Sequence, residues 1–231
     1  MEILTINDIE IEIERKNIKN IHLRIYPPDA RVHISAPKRM ALDTIRLFVI
    51  SKMIWINKKV ELVKSREFQS VKEYISGENH YYKGNIYILN VIYKNSTPKV
   101  EINESGFINL YVREGSSTKK KEAVLREWYR KELKEEIEPI VKKWEKVLGV
   151  EVNDWDVKKL KTIWGSCNTR THHILFNLEL IKKPAYCIEY VVLHELTHLI
   201  VRLHNAKFHS IVETRIPNWK EIKTELNNFI L

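Results

Sequence analysis

Apolar and polar residues alternate along much of the first half of the chain, and this period of two predicts strands. Residues 2–14 alternate as a half-buried strand should, with Ile9, Ile11 and Ile13 set against Glu10, Glu12 and Glu14. Four more segments have strand character, with a turn at Lys83-Gly84-Asn85: 21–26, 31–35, 87–93 and 107–112. Only the segment from about 41 to 65 departs from this alternation. Its apolar residues recur every three or four positions and so predict a helix.

After residue 118 the helical period dominates. A long helix is predicted from about 119 to 148, with Gly149 as its C-terminal cap. Short strands are expected at 150–158 and 172–177. A helix near 185–203 follows, and then a turn and further helix to the C-terminus.

The polar segment 114–118 is the predicted boundary between two regions. Residues 1–113 form a strand-rich region with one helix, and residues 118–231 form a second region richer in helix. Strands and helices are largely segregated along the chain, which is typical of an α+β fold.

Composition limits the class of protein and the cellular compartment that we expect. Apolar residues make up 44% of 231, enough for a hydrophobic core. No apolar run approaches the ~18 residues of a membrane span, and the N-terminus lacks the features of a signal peptide. Two cysteines, Cys167 and Cys187, make no disulfide framework. We therefore expect a cytoplasmic protein without a membrane partner.

The stretch 194-HELTHLIVRLHNAKFH-209 holds the candidate chemistry. On a helix, His194 and His198 lie one turn apart and can direct both imidazoles at one ion. Glu195 is offset by about 100°, beside the ion, where a general base would act on water. The pattern predicts a zinc site that activates water for hydrolysis, rather than a pair of core histidines.

A catalytic zinc site needs a third protein ligand, and His204 is the natural candidate. On one continuous helix His204 would lie roughly 9 Å beyond His198, so the helix must end and turn back after about residue 201. Asn205 can adopt a left-handed conformation and is a candidate for the reversal. His209 is the rival third ligand. Cys167 has no evident paired base, so a cysteine nucleophile is the weaker hypothesis.

Several blocks of the chain resemble one family. They are 36-APKRMALDTIRLFVISKMIWINKK-59, 76-SGENHYYKGNIYILNVIY-93, 164-WGSC-167, 174-ILFNLEL-180 and 190-YVVLHELTHLIVRLHNAKF-208. In this order they resemble the YgjP-like metallopeptidases, relatives of the SprT-like and other zincin domains.

The resemblance implies a zincin-like C-terminal unit, with the active-site helix packed on a small sheet. It also implies zinc held by His194, His198 and His204, and Glu195 as catalytic base. A Trp-Gly-Ser-Cys turn is implied close to that helix. The chain departs from the family pattern at His209, where the family usually has an aromatic residue.

The leading hypothesis is a zinc-dependent metallopeptidase that acts on a peptide or protein. The net charge is +9, and residues 157–185 carry six basic residues against Glu179, or +5: Lys158, Lys159, Lys161, Arg170, Lys182 and Lys183. Such a rim would favour an anionic substrate, so the alternative is a nucleotide phosphoanhydride hydrolase. A second alternative is a nucleic-acid-associated module with a structural metal. The sequence indicates no oligomeric state.

Overall fold

The structure is a computed structural model that describes residues 2–26, 29–64 and 72–228. The chain divides into two compact units, Met1–Val71 and Lys72–Leu231. Both contain strands and helix, which confirms the mixed α+β class, while the zincin-like nature of the C-terminal region stays a prediction. No helix in the described ranges combines the length and the apolar character needed to cross a membrane.

The first unit is a four-stranded sheet followed by one helix. Its elements are β1 Glu2–Ile6, β2 Ile9–Lys16, β3 His22–Tyr26, β4 Arg31–Pro37 and α1 Leu42–Lys64. The strand order is β1-β2-β4-β3, with two antiparallel hairpins joined by parallel pairing of β2 with β4. The sheet and one face of α1 enclose a small core that includes Ile11, Ile34 and Ile45.

The prediction of one strand over residues 2–14 was wrong, because the chain makes a hairpin there. Asn7 and Asp8 both have positive φ, 47° and 63°, which is the conformation of a tight two-residue hairpin turn. The strict isoleucine–glutamate alternation begins only at Ile9, after the turn, while residues 2–6 read EILTI. The Asn7-Asp8 pair between the two runs was the available turn signal.

The second unit begins with the same topology. Its first elements are β5 Asn79–Tyr82, β6 Asn85–Tyr93, β7 Lys99–Ile102, β8 Phe107–Val112 and α2 Thr118–Leu148. The order is β5-β6-β8-β7, again two hairpins joined in parallel at their inner strands. The first hairpin again turns on two positive-φ residues, Lys83 and Gly84. A ββββα module thus occurs once in each unit.

Helix α2 is the longest described helix of the second unit and contributes much of its core. The Ser117 side chain caps its start by accepting from the Lys120 N–H at 3.3 Å, and Gly149 ends it in the left-handed conformation, as predicted. Its buried stripe includes Leu133 and Ile137, and the helix packs against strands of the second sheet and against the helix Ala185–Thr197.

Up to residue 228, the structure shows a third sheet, a short 3-10 helix at Leu178–Lys182 and three α-helices in the rest of the second unit. The strands and α-helices are β9 Asp154–Lys158, β10 Gly165–Asn168, β11 His173–Asn177, α3 Ala185–Thr197, α4 Ala206–Arg215 and α5 Trp219–Asn228. The sheet order is β10-β11-β9, with β10 antiparallel and β9 parallel to the central strand. Strand β10 was not predicted, and α3 ends at Thr197 rather than near residue 203.

The division into units differs from the boundary predicted at residues 114–118. Strands β5–β8 pack on α2 and share the hydrophobic core of the C-terminal helices. A polar turn at 114–118 connects a strand to a helix of the same core, so its composition marks a loop and not a break between compact units.

The turn between β5 and β6 contacts the segment that leads into α3. The N–H groups of Lys83 and Gly84 donate to the carbonyls of Ile181 and Lys182 at 2.8 and 3.2 Å. Gly84 has φ +83°, and a Cβ at this position would lie 2.8 Å from Cγ of Pro184, the residue before α3. The backbone approach requires glycine.

Replacing Gly84 by alanine should destabilise the second unit. Positive φ alone costs about 1 kcal/mol for a residue with a side chain, and the collision with Pro184 should add about 1–3 kcal/mol. Gly106 is the matched control, because it has the same φ of +83° but open space around its missing Cβ. Chemical denaturation should show Gly84→Ala losing more unfolding free energy than Gly106→Ala. Equal losses would contradict the close packing.

Candidate functional site

Helix α3 is the most deeply buried helix of the second unit. Its sequence AYCIEYVVLHELT is apolar almost throughout, and nine of its thirteen residues are buried. It packs against α2, α5 and strand β10. A helix held on several sides has little freedom to shift, so the side chains that leave its remaining face are fixed in position.

Three histidines converge at the C-terminal end of α3. His194 and His198 come from consecutive turns, and His204 returns to them from beyond the helix. The Nε2 atoms of His204 and His194 are 2.9 Å apart. One ring nitrogen from each of the three lies within 4.8 Å of the others. The structure therefore brings together the three histidines that the sequence predicted as ligands.

The return of His204 depends on how α3 ends. The carbonyl of buried Thr197 accepts from the N–H groups of Ile200 and Val201 at 3.0 and 2.9 Å, which tightens the last turn. Asn205 then starts α4, its Oδ1 accepting from the Phe208 N–H at 3.0 Å. Its φ of −92° is extended, so the expected left-handed reversal at Asn205 was wrong. The polar side chain acts as a helix cap instead.

Phe208 lies against all three histidines. Its ring centroid is 4.9, 4.8 and 4.7 Å from those of His194, His198 and His204, and the side chain is buried. Sequence reasoning assigned it no role. The apolar contact excludes water from one side of the cluster and holds the rings in place. On the other side, His198 is fixed by Nδ1, which lies 3.3 Å from the Val201 carbonyl and leaves Nε2 for the cluster.

His209 does not join this cluster. Its ring stacks on Trp219 with centroids 5.0 Å apart and an interplanar angle of 8°. Its ring centroid is 6.4 Å from that of His204. The imidazole of His209, on α4, thus stacks on an aromatic ring of α5, as an aromatic residue at this position would.

The surroundings of the three clustered histidines lower their pKa and so favour neutral imidazoles. Burial, together with the neighbouring histidines, lowers the pKa of His194 to about 3. Burial also lowers the pKa of His198 and of His204. At neutral pH these side chains are therefore uncharged, and their lone pairs are available to a ligand.

Glu195 is a carboxyl group held in an apolar environment. Its side chain is 5% exposed, and desolvation raises its pKa to about 8. Strand β10 crosses directly above it. A Cβ on Gly165 would lie 2.7 Å from Oε1 of Glu195, so only glycine leaves room for the carboxyl group. The Trp-Gly-Ser-Cys segment therefore lies against the site helix, as the resemblance implied.

Asn177 positions the segment that leads to β10, and sequence reasoning missed it. The side chain is fully buried and donates to the carbonyls of Leu160 and Ile163 at 3.0 and 2.8 Å. Its own N–H donates to the Trp164 carbonyl at 2.9 Å. An asparagine in an otherwise apolar ILFNLEL run was the available signal, because a buried amide must find several partners.

A cavity of about 880 Å³ opens over the histidines and Glu195. Its walls come from the segment around β10, from α3 and from α5. Cys167 lines it, and burial with the nearby Glu195 raises the pKa of its thiol to about 11, so the thiolate is not populated at neutral pH. This weakens the hypothesis of a cysteine nucleophile.

The cationic side chains at the cavity differ from those expected. Of the six basic residues predicted to form a rim, only Arg170 lines it, and it is joined by Arg202 and Lys223. Lys182 pairs with Glu179 at 2.6 Å, and Lys183 is buried with its ammonium 5.7 Å from the Trp164 ring centroid. Sequence proximity was a poor guide, because Lys223 reaches the cavity from a helix more than fifty residues away.

Comparison with known proteins identifies a family. The model of the YgjP-like metallopeptidase domain matches residues 19–229. No curated protein matches the chain. Two solved structures with partial similarity are metallopeptidase zymogens, Pyrococcus abyssi abylysin and Methanocaldococcus jannaschii jannalysin. They are 21% and 22% identical, with TM-scores of 0.37 and 0.36, and each match covers 39% of this chain and 90% or 92% of the other.

Proposed function

Because the chain belongs to the YgjP-like metallopeptidase family, we propose that it hydrolyses peptide bonds with one zinc ion and a carboxylate base. The ligands would be His194, His198 and His204, and the base would be Glu195. The observation that carries this proposal is the convergence of three neutral imidazoles beside a buried carboxyl group at the floor of a cavity.

The donor set fits zinc. Tetrahedral zinc with Zn–N bonds near 2.0–2.1 Å separates its nitrogen ligands by about 3.3 Å. The three donor atoms lie between 2.9 and 4.8 Å of one another, so small side-chain adjustments would bring them to that separation. Three imidazoles with an open fourth position are the ligand pattern of catalytic rather than structural zinc. Zinc bound there would act as a Lewis acid that polarises the scissile carbonyl and acidifies water.

Glu195 would carry the proton. It follows a ligand histidine by one residue and faces the same cavity. A cation in the histidine cluster favours its ionised form, which opposes the effect of burial. The carboxylate can then take a proton from the attacking water and deliver it to the leaving amine. A purely structural metal would gain nothing from a buried acid at this position, which argues against the nucleic-acid module.

The charge of the cavity supports a substrate with acidic groups. Arg170, Arg202 and Lys223 line it against one carboxyl group, that of Glu195. Within the described residues, none of these three cations forms an ion pair with a carboxylate. Unpaired cations at a cavity wall attract anionic ligands. We therefore infer that the preferred peptides carry acidic side chains near the scissile bond.

Zinc binding should depend on His204 and not on His209. The reconstituted protein should bind about one zinc per chain. His204→Ala should weaken affinity by more than ~100-fold, because loss of an outer partner alone costs 10–100-fold. His209→Ala should bind nearly as wild type, since its ring stacks on Trp219. Elemental analysis and competition with a chromophoric chelator measure both. Absence of zinc in the wild type, or loss only in His209→Ala, would refute the assignment.

Glu195→Gln should abolish most turnover without releasing zinc. Glutamine keeps the shape but cannot accept the proton, so kcat should fall by at least ~10²-fold. Gly165→Ala should act in the same direction, because its methyl group would occupy the space 2.7 Å from Oε1 of Glu195. Peptide-library hydrolysis and zinc content are measured together. Full turnover in Glu195→Gln would exclude it as the base.

Neutralising Arg202 and Lys223 together should reduce cleavage of acidic peptides. The Arg202→Gln, Lys223→Gln variant should lose roughly 3–10-fold in kcat/KM at low salt, and salt should shrink the difference. Neutral peptides should be little affected. Lys158→Gln with Lys159→Gln is the control, because these residues lie outside the cavity lining. Nucleoside triphosphates are assayed in parallel. Triphosphate hydrolysis without peptide cleavage would overturn the peptidase in favour of the nucleotide hydrolase.

A further inference from the structure

Helix α1 of the first unit has an apolar stripe on its outer side. Its inner face packs on the sheet through side chains such as Ile45, Val49 and Ile56. The second stripe consists of Leu47, Ile50 and Ile54, which are 68%, 53% and 88% exposed. We call these three residues the outer stripe.

The outer stripe is continuous along the helix. Its residues are spaced three and four apart, so their side chains lie in one row, roughly 130° around the helix from the inner face. A helix that packs on a sheet by one face normally shows polar residues on the other. Three neighbouring aliphatic side chains in water are unfavourable in a monomer and indicate a surface that becomes covered.

We propose that the outer stripe binds the same stripe of a second copy of this chain, as an antiparallel helix pair about a two-fold axis. Full overlap of the stripe with itself places the axis near Ile50 and Ser51, so that Leu47 of each copy faces Ile54 of the other. The Ser51 hydroxyl donates to the Phe48 carbonyl of its own helix at 2.7 Å. The centre of the pair is therefore free of a competing polar group.

The charges at the two ends of the stripe match this arrangement. In the centred register Asp43 of one copy faces Lys58 of the other, and the two-fold axis makes the pair twice. Both side chains are exposed, and neither forms an ion pair within the described part of the chain.

A shifted register loses this match. Moving the axis so that Ile50 faces Ile54 brings Asp43 opposite Glu61, which is a like-charge contact. The match of Asp43 with Lys58 thus favours pairing with a second copy in the centred register over this shifted one.

The association should be reversible. Three aliphatic side chains per copy form an interface at the small end of the range, below ~1,200 Å². After the loss of rotational and translational freedom, we expect a dissociation constant on the order of 10 µM. The protein should therefore change from monomer to dimer over an experimentally accessible concentration range.

Sedimentation of the full chain tests the outer stripe. The wild type should shift from monomer to dimer between about 1 and 100 µM. Ile54→Glu should remain monomeric throughout, and its high exposure means that folding, checked by circular dichroism, should be unchanged. Ile3→Glu is the control, because Ile3 is 65% exposed on β1 of the same unit but lies outside the stripe. A wild type that is monomeric at 100 µM, or a dimer that survives Ile54→Glu, would overturn the proposal.

A charge exchange tests the register. Asp43→Lys alone and Lys58→Asp alone each place like charges opposite one another and should weaken dimerisation by at least ~3-fold at low salt. The double variant restores opposite charges and should return the dissociation constant to within ~2-fold of wild type. Additive weakening in the double variant would refute the antiparallel register.

Discussion

The candidate site depends on the end of α3 at Thr197. A continuous helix would carry His204 about 9 Å past His198 and leave only two imidazoles together. The amides of Ile200 and Val201 share the Thr197 carbonyl in the last turn, and the Asn205 cap starts the next helix. This break between the two helices returns His204 to His194 and also brings Phe208 beneath the rings. The third histidine and the apolar floor of the cluster are therefore consequences of one local event.

A second constraint is the space around Glu195. An acid that is 5% exposed is unstable as a carboxylate unless a cation lies near, and its raised pKa expresses this. The missing side chain of Gly165 lets β10 pass within contact distance of the carboxyl group. The strand thus closes the site over the acid without displacing it, and the buried Asn177 amide fixes the segment before that strand. Helix α3, strand β10 and the Asn177 amide together bury the Glu195 carboxyl group. Its ionisation therefore depends on the charge present in the histidine cluster.

Much of this arrangement was predictable from the sequence where local rules apply. The spacing of His194 and His198 sets their proximity on any helix, and the periodicities of α1 and α2 gave their extents closely. The four residues of β10 contain no apolar alternation, because their role is to contact α3 through a glycine. The hairpin at Asn7 and Asp8 was missed because the strong alternation from Ile9 to Glu14 was extended back across the turn. The cavity cations were misassigned because Arg202 and Lys223 meet Arg170 only through tertiary folding.

The two ββββα modules differ in what packs on the outer face of their helix. In the second unit the module's helix, α2, packs on its sheet and also on α3, so that it supports the helix that carries the site. In the first unit the corresponding helix, α1, packs on its sheet, and no further helix of that unit is described beyond it. The outer stripe of α1 is therefore exposed in the first unit, whereas the equivalent helix α2 supports α3 in the second. A second copy of α1 would supply the missing partner by the same physical rule, the burial of one apolar helix face against another.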